Sequence, residues 1–193
     1  TEQWKQIARN APWQMTRMNL NTFARHGVFD GELDGELDGL LATRLRDPEA
    51  IGRVRVYPYQ LLVAYANAAA EVPAVIREAL QDALETSLAN VPELEGRTWV
   101  LIDVSGSMSS PVTGQRSGST SKVRCIDVAS LIAAAILRRN PVAGVVAFDT
   151  AARELLLNPR DSLVTNTGKI AGLVGGGTAV SSAFALLNSK AAA

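Results

Sequence analysis

The chain has 193 residues and a formal net charge of zero, because 19 lysine and arginine residues balance 19 aspartate and glutamate residues. This length gives room for one domain and part of a second. The charge balance excludes a strong overall field for nucleic acid, although not a local basic patch. A single cysteine, Cys125, excludes an internal disulfide and favours a reducing, cytoplasmic location. No apolar stretch is long enough to span a membrane, so no membrane role is expected.

Residues 1–95 predict mainly helices. Pro12 suits the first turn of a helix and Gly27 its end. A second helical stretch covers residues 59–80 and is divided by Pro73, because a proline breaks the interior hydrogen-bond ladder. Short paired helices of this kind predict a helical-repeat segment.

An acidic sequence, DGELDGELDGLL, occupies residues 30–41. Asp30, Glu32 and Asp34 match the first three ligand positions of a calcium-binding loop. Position twelve is Leu41, where such a loop requires a bidentate glutamate. The segment therefore predicts a solvated acidic turn and the start of a helix.

Beyond residue 96 the pattern changes to alternating strands and helices. The predicted strands are residues 98–102, 142–148 and 154–157, and the predicted helices are residues 123–138 and 162–173. Apolar strands that alternate with helices predict a parallel sheet with crossover helices. Residues 96–193 are therefore expected to form an α/β domain.

The sequence LIDVSGSMSS places Asp103, Ser105 and Ser107 at alternate positions directly after the first predicted strand. Side chains two residues apart in an extended chain point the same way, so three oxygens meet where open α/β sheets bind ligands. Thr178 follows three glycines and offers a further hydroxyl. One carboxylate with several hydroxyls suits a hard divalent cation such as Mg²⁺. The alternative is an Asx or serine turn that caps the next helix.

Arg53 and Arg55 precede the sequence Tyr57-Pro58-Tyr59. Basic side chains beside aromatic rings grip phosphates and stack on bases, which favours RNA contact. The alternative interpretation is a pair of surface charges on a packed turn.

Enzymatic activity is not expected. His26 is the sole histidine, and no G-x-S-x-G surrounds any serine. The glycine run before Thr178 lacks a Walker lysine. A metal-dependent phosphoryl-transfer enzyme is the weakest alternative, since no nucleophile has a base beside it.

The motif DVSGSMSS resembles the metal-ion-dependent adhesion motif of von Willebrand factor A domains, and the GGGT run resembles their threonine ligand loop. Upstream, PWQMTRMNLNTFARHG, VRVYPYQLLVAYANA and the junction RTWVLIDVSGSM resemble the end of a TROVE module joined to an A domain. This is the architecture of the Ro autoantigen family, including its bacterial members. The resemblance implies that residues 1–95 are the C-terminal part of a HEAT-like TROVE module. Residues 96–193 are then the first part of a doubly wound A-like parallel sheet.

The same resemblance implies binding of small noncoding (Y-like) RNA and of the ends of misfolded RNA in RNA quality control, with an exoribonuclease as a further partner. The implied metal ligands are Asp103, Ser105, Ser107 and Thr178, and the implied RNA contacts are Arg17 and Asn19, in a helix that resembles the family's hole-lining segment. The chain stops at SKAAA, before the strand and aspartate that complete such a domain, so a piece of a longer protein is expected. The alternative function is a metal-dependent adhesion domain that captures a carboxylate of a partner protein and has no RNA role.

Overall fold

The computed structural model describes residues 2–29, 35–115 and 121–191. Its backbone divides into two compact units, Thr1–Asn90 and Val91–Ala193. The sequence placed this division slightly later, near Glu95. Residues 30–34, with Asp30, Glu32 and Asp34 of the acidic sequence, lie outside the described part of the chain.

The first unit is helical. Its helices are α1 (Glu2–Asn10), α2 (Trp13–Arg25), α3 (Gly35–Arg46), α4 (Pro48–Val54), α5 (Pro58–Ala66) and α6 (Ala74–Thr86). The predicted break at Pro73 is confirmed, because Pro73 is the residue that precedes α6. Leu41, which stands where a calcium-binding loop would need its twelfth-position glutamate, is fully buried on α3.

Helix α3 joins the core of this unit, where it packs against α6 and lies beside α1 and α2. Its basic end also makes long-range polar contacts. The Trp13 indole N–H donates to the Leu45 carbonyl at 3.1 Å, and Arg44 donates to the Ala8 carbonyl at 2.8 Å. These bonds satisfy groups that would otherwise be buried without partners.

The second unit is mixed α/β. Its elements are β1 (Trp99–Asp103), α7 (Cys125–Arg139), β2 (Gly144–Phe148), β3 (Ala152–Leu155), α8 (Leu163–Ala171) and α9 (Val180–Ala191). The described strands form a sheet of order β1-β2-β3, in which β1 and β2 are parallel. No helix in the described ranges is long and apolar enough to cross a membrane.

The expectation of a wholly parallel sheet is wrong for β3, which pairs antiparallel to β2. Only residues 149–151 separate the two strands. A connection this short can return the chain antiparallel, whereas a parallel neighbour requires a crossover of a dozen or more residues.

The sheet is covered by helices on both faces. Val145 and Ala147 of β2 pack on one face with residues of α7 and α8. Val146 and Phe148 alternate with them and pack on the other face with Ala183 of α9. This period of two places the apolar side chains of β2 in two cores.

Trp99 covers the start of β2. It pairs with Gly144 across the strands, and its ring lies where a side chain on Gly144 would project. The guanidinium of Arg97 and the ammonium of Lys190 lie 5.5 and 5.6 Å from the ring centroid. The indole is therefore held between the β2 backbone and two cations.

Helix α7 begins with an ion pair that also caps it. Asp127 accepts hydrogen bonds from the Arg124 backbone N–H at 2.9 Å and from its guanidinium at 2.7 and 3.1 Å. Burial acts to raise the pKa of Asp127, but the hydrogen bonds from Arg124 outweigh it and hold this pKa below its ordinary value. The ionised carboxylate thus stabilises the helix start.

Replacing Asp127 by asparagine should lower the stability of the second unit by about 1 kcal/mol at pH 7. Because the folded pKa is depressed, this contribution is complete above the unfolded pKa near 4 and is lost as the pH falls through the lower folded pKa. Thermal unfolding of both proteins from pH 7 to pH 2 measures it. The prediction fails if the difference in melting temperature persists unchanged at pH 2.

Candidate functional sites

The carboxyl ends of β1 and β2 lie side by side. Asp103, the last residue of β1, pairs with Phe148, the last residue of β2. The Val104 N–H donates to the Phe148 carbonyl at 2.9 Å, which extends this pairing one step further. The segments that leave both strands therefore start at the same edge of the sheet.

The structure brings Asp103, Ser105 and Ser107 together. The Oδ1 atom of Asp103 accepts the Ser105 N–H at 2.7 Å, and the two serine hydroxyl oxygens lie 3.1 Å apart. Ser105 is 1% exposed, whereas Ser107 is exposed and Asp103 is half-buried. The Asx turn of the alternative interpretation is present, and the two hydroxyls still converge within it.

The glycine loop before Thr178 is bound to this turn. The Gly106 N–H donates to the Gly176 carbonyl at 3.1 Å, and the Gly175 N–H donates to the Val104 carbonyl at 2.8 Å. Thr178, two residues beyond Gly176, is exposed. The fourth predicted ligand therefore lies in a loop that is hydrogen-bonded to the segment carrying the other three.

Asp149 is a second carboxylate at this edge of the sheet, and the sequence analysis missed it. Its side chain accepts hydrogen bonds from the Ala151 N–H at 3.0 Å and from Arg153 at 3.1 Å. The pKa of Asp149 lies below its ordinary value, chiefly because of the backbone hydrogen bond from Ala151. Burial acts to raise this pKa, and the hydrogen bond from Arg153 acts to lower it further. Its own carbonyl accepts the Ala179 N–H at 2.6 Å, just after Thr178.

The donor set of this edge fits a hard cation. Among the described residues, no group of three or more His, Cys, Asp or Glu side chains is placed to share a metal ion. An ion here would be held by one carboxylate, hydroxyl oxygens and water, which are ligands that Mg²⁺ accepts. The two segments approach closely here, since a methyl group added to Gly106 would lie 3.4 Å from the Gly176 carbonyl oxygen.

A second candidate site lies in the helical unit and combines arginines with tyrosines. Arg17 of α2 is half-buried and donates to the Gln60 carbonyl at 3.0 Å. Burial lowers the pKa of Arg17, whereas neighbouring Tyr59 acts to raise it. We use the name arginine–tyrosine surface for Arg17 together with the exposed residues Arg53, Arg55, Tyr57 and Tyr59.

The other members of this surface extend from the end of α4 to the first turn of α5. Arg53 and Arg55 are exposed, and Tyr57 and Tyr59 are 45% and 37% exposed. Arg55 has a left-handed backbone conformation with φ of 49°, which turns the chain from α4 towards α5. The stretch thus presents two cations and two rings within seven residues, and Arg17 joins it at Gln60.

A groove of about 260 Å³ begins beside Arg17, between α2 and α5. It is lined by Arg17, Met18, Leu20, Asn21, Val63, Ala64 and Asn67. Asn21 connects α2 to the segment that follows α5, since its side chain donates to the Asn67 carbonyl and accepts the Ala69 N–H, both at 2.8 Å. The groove therefore combines four apolar side chains with one arginine and two asparagines.

The structure does not bring Asn19 into this surface. Its side-chain amide donates to the Met15 carbonyl of its own helix at 2.9 Å. Residues two apart on a helix do not share a face, so Asn19 and Arg17 point in different directions.

The fold and these sites define a mixed α/β protein with a helical unit and an oxygen-lined site at a strand exit. No family model matches the chain. The chain is 33% identical over 146 residues to the RNA-binding protein RO60 of Deinococcus radiodurans. This match covers 70% of the chain but only 27% of the relative's length.

The crystal structure of the Deinococcus radiodurans Ro (RSR) protein matches the fold with a TM-score of 0.64 and 24% sequence identity. The match covers 84% of this chain and 33% of the crystallised chain. The chain therefore belongs to the Ro family, of the bacterial type, and spans about a quarter of the length of its curated relative.

Proposed function

We propose that this chain is an RNA-binding part of a Ro-type protein. It binds small noncoding, Y-like RNA and the single-stranded ends of misfolded RNA, and acts in cytoplasmic RNA quality control together with an exoribonuclease. The proposal is supported by the similarity to a relative named as an RNA-binding protein. In this proposal the first unit is HEAT-like TROVE structure and the second is the start of a von Willebrand factor A-like domain.

The observation that carries the proposal is the position of Arg17. Its guanidinium is fixed by the Gln60 carbonyl, one residue beyond the partly exposed Tyr59, and it lines the groove between α2 and α5. A fixed cation and an exposed tyrosine in the same region suit a phosphate and an unstacked base of single-stranded RNA. A local surface of this kind is compatible with zero net charge.

The second unit is proposed to hold Mg²⁺ through Asp103, Ser105, Ser107 and Thr178. The bound ion would supply a positive centre at the sheet edge that accepts a further oxygen ligand. The chain's own residues shape this site: Ser105 is buried and oriented by the turn, whereas Ser107 and Thr178 face solvent. No catalytic step is proposed.

Replacing Arg17 by glutamate should weaken binding to a hairpin RNA with a single-stranded 3′ tail at least tenfold. It should also reduce the slope of log affinity against log salt by about one, as the loss of one phosphate contact predicts. Filter-binding titrations between 50 and 200 mM salt measure both quantities.

The matched control is Arg25→Glu, which makes the same charge change on the same helix. Arg25 is exposed and bonds within α2, so its variant should remain within about threefold of the parent protein. Equal losses in the two variants would show a nonspecific charge effect. Absence of binding to tailed or Y-like RNA by the parent protein overturns the proposed function.

A metal-dependent adhesion domain is the second candidate function, and the exposure of Ser107 and Thr178 favours it. An exposed hydroxyl pair leaves room for a carboxylate of a partner protein to complete the coordination. This function requires capture of a protein partner that is lost with a chelator and with Asp103→Asn. The RNA function requires tailed-RNA binding that neither treatment changes.

A further inference from the structure

The glycine loop that precedes Thr178 rests on the turn between β2 and β3. A methyl group added to Gly177 would lie 3.2 Å from Cγ2 of Thr150. One added to Gly176 would lie 3.3 Å from Cβ of Asp149, and Gly176 also has a φ of 69°. The backbone of the loop therefore lies directly against Asp149 and Thr150, so close that a methyl group added to either glycine would require its neighbour to shift by a few tenths of an ångström.

The turn that supports the loop is itself held in place. The side chain of Asp149 is 14% exposed and is bonded to Arg153, Thr150 and the Ala151 N–H. Its backbone carbonyl binds the Ala179 N–H, so it contacts the loop on the far side of Thr178 as well. Gly176 and Ala179 are thus fixed against the same residue, with Thr178 between them.

We infer that the turn Asp149–Thr150 positions the Thr178 loop and so determines how tightly the second unit binds a divalent cation. The inference rests on the metal site of the proposed function. Asp149 and Thr150 are positioning residues here and are not ligands, because their contacts run to the loop and to Arg153. Residues that orient metal ligands from behind typically change metal affinity 10- to 100-fold when they are altered.

The test is an isothermal titration of Mg²⁺, and separately of Mn²⁺, into the 193-residue chain and three variants. Gly177→Ala should weaken affinity at least tenfold, because the added methyl group pushes the loop off Thr150. Thr150→Ser removes the Cγ2 atom that this methyl group meets but keeps the hydroxyl. The double variant G177A/T150S should therefore recover affinity to within about threefold of the parent chain.

Gly168→Ala is the matched control, since a methyl group there meets nothing within 4 Å, and it should bind metal like the parent chain. Circular dichroism checks that each variant is folded. If Gly177→Ala does not fold, Arg153→Gln is tested in its place. Removing the ion pair that holds Asp149 should also weaken Mg²⁺ binding. Unchanged Mg²⁺ affinity in that variant overturns the inference. Affinity unchanged by Gly177→Ala, or a loss that Thr150→Ser does not relieve, overturns it too. Absence of metal binding by the parent chain refutes the metal site itself, and the inference with it.

Discussion

Replacing Asp103 by asparagine should weaken Mg²⁺ binding about 100-fold or more while leaving the second unit folded. In the parent protein the Ser105 N–H donates to Oδ1 of Asp103 at 2.7 Å. The side-chain oxygen of asparagine can accept the same hydrogen bond, so the turn should be preserved. What is lost is the single carboxylate of the proposed ligand set. Hard divalent cations depend strongly on ligand charge, so hydroxyl oxygens alone should bind Mg²⁺ poorly.

Calorimetric titration with Mg²⁺ measures this effect, with Asp161→Asn as the control. Asp161 pairs with Lys169 on the surface, at 2.7 Å, and has no proposed part in the site. Parent-like affinity in Asp103→Asn would remove the metal site from the proposed function. RNA affinity should stay unchanged in the same variant, since the proposed RNA contacts all belong to the first unit.

Replacing Gly144 by alanine should destabilise the second unit by about 3 kcal/mol, which is large for the addition of one methyl group. The new Cβ would lie 2.1, 2.2 and 2.8 Å from three carbon atoms of the Trp99 ring. The ring would have to leave the β2 backbone, where it packs beside Val146 and Phe148. Its cation contacts with Arg97 and Lys190 would weaken as well.

A double-mutant cycle with Trp99→Leu tests this explanation by urea denaturation. In the Trp99→Leu background the same change at Gly144 should cost less than about 1 kcal/mol, because the clashing atoms are gone. Gly168→Ala, within α8, should be neutral or stabilising by up to about 1 kcal/mol. An equal cost of Gly144→Ala in both backgrounds would show that Trp99 is not the cause.

Strands β1 and β2 and helix α7 of the second unit could be predicted because each is a largely apolar run. The strands expected at residues 98–102 and 142–148 are observed at Trp99–Asp103 and Gly144–Phe148. The direction of β3 could not be derived from its apolar pattern, since hydrophobicity carries no information on strand direction. The length of the connection does carry it, because the predicted strands left only residues 149–153 between them, too few for a parallel crossover.

Within the candidate metal site, the residues that are close in sequence were predictable, and those brought together by folding were not. The turn of Asp103, Ser105 and Ser107 is local, so its spacing predicts its geometry. Asp149 contacts the Thr178 loop only because the fold brings these distant parts of the chain together. It could have been found from the rule that parallel strands end at one edge of a sheet.

The contact of Arg17 with Gln60 joins residues 43 positions apart, and no sequence pattern links them. The charge and aromatic content of the arginine–tyrosine surface is therefore predictable, but its assembly is a property of the helix packing.

Because Trp99 contacts the β2 backbone and two cations, it is an intrinsic fluorescent probe of the second unit. Trp4 and Trp13 belong to the first unit and Trp99 to the second, so each unit carries its own indole chromophore. The emission of Trp99 depends on quenching by its neighbours and will change when the β1–β2 pairing opens. In a variant with Trp4 and Trp13 replaced by phenylalanine, fluorescence would therefore follow the melting of the second unit alone, without any attached dye.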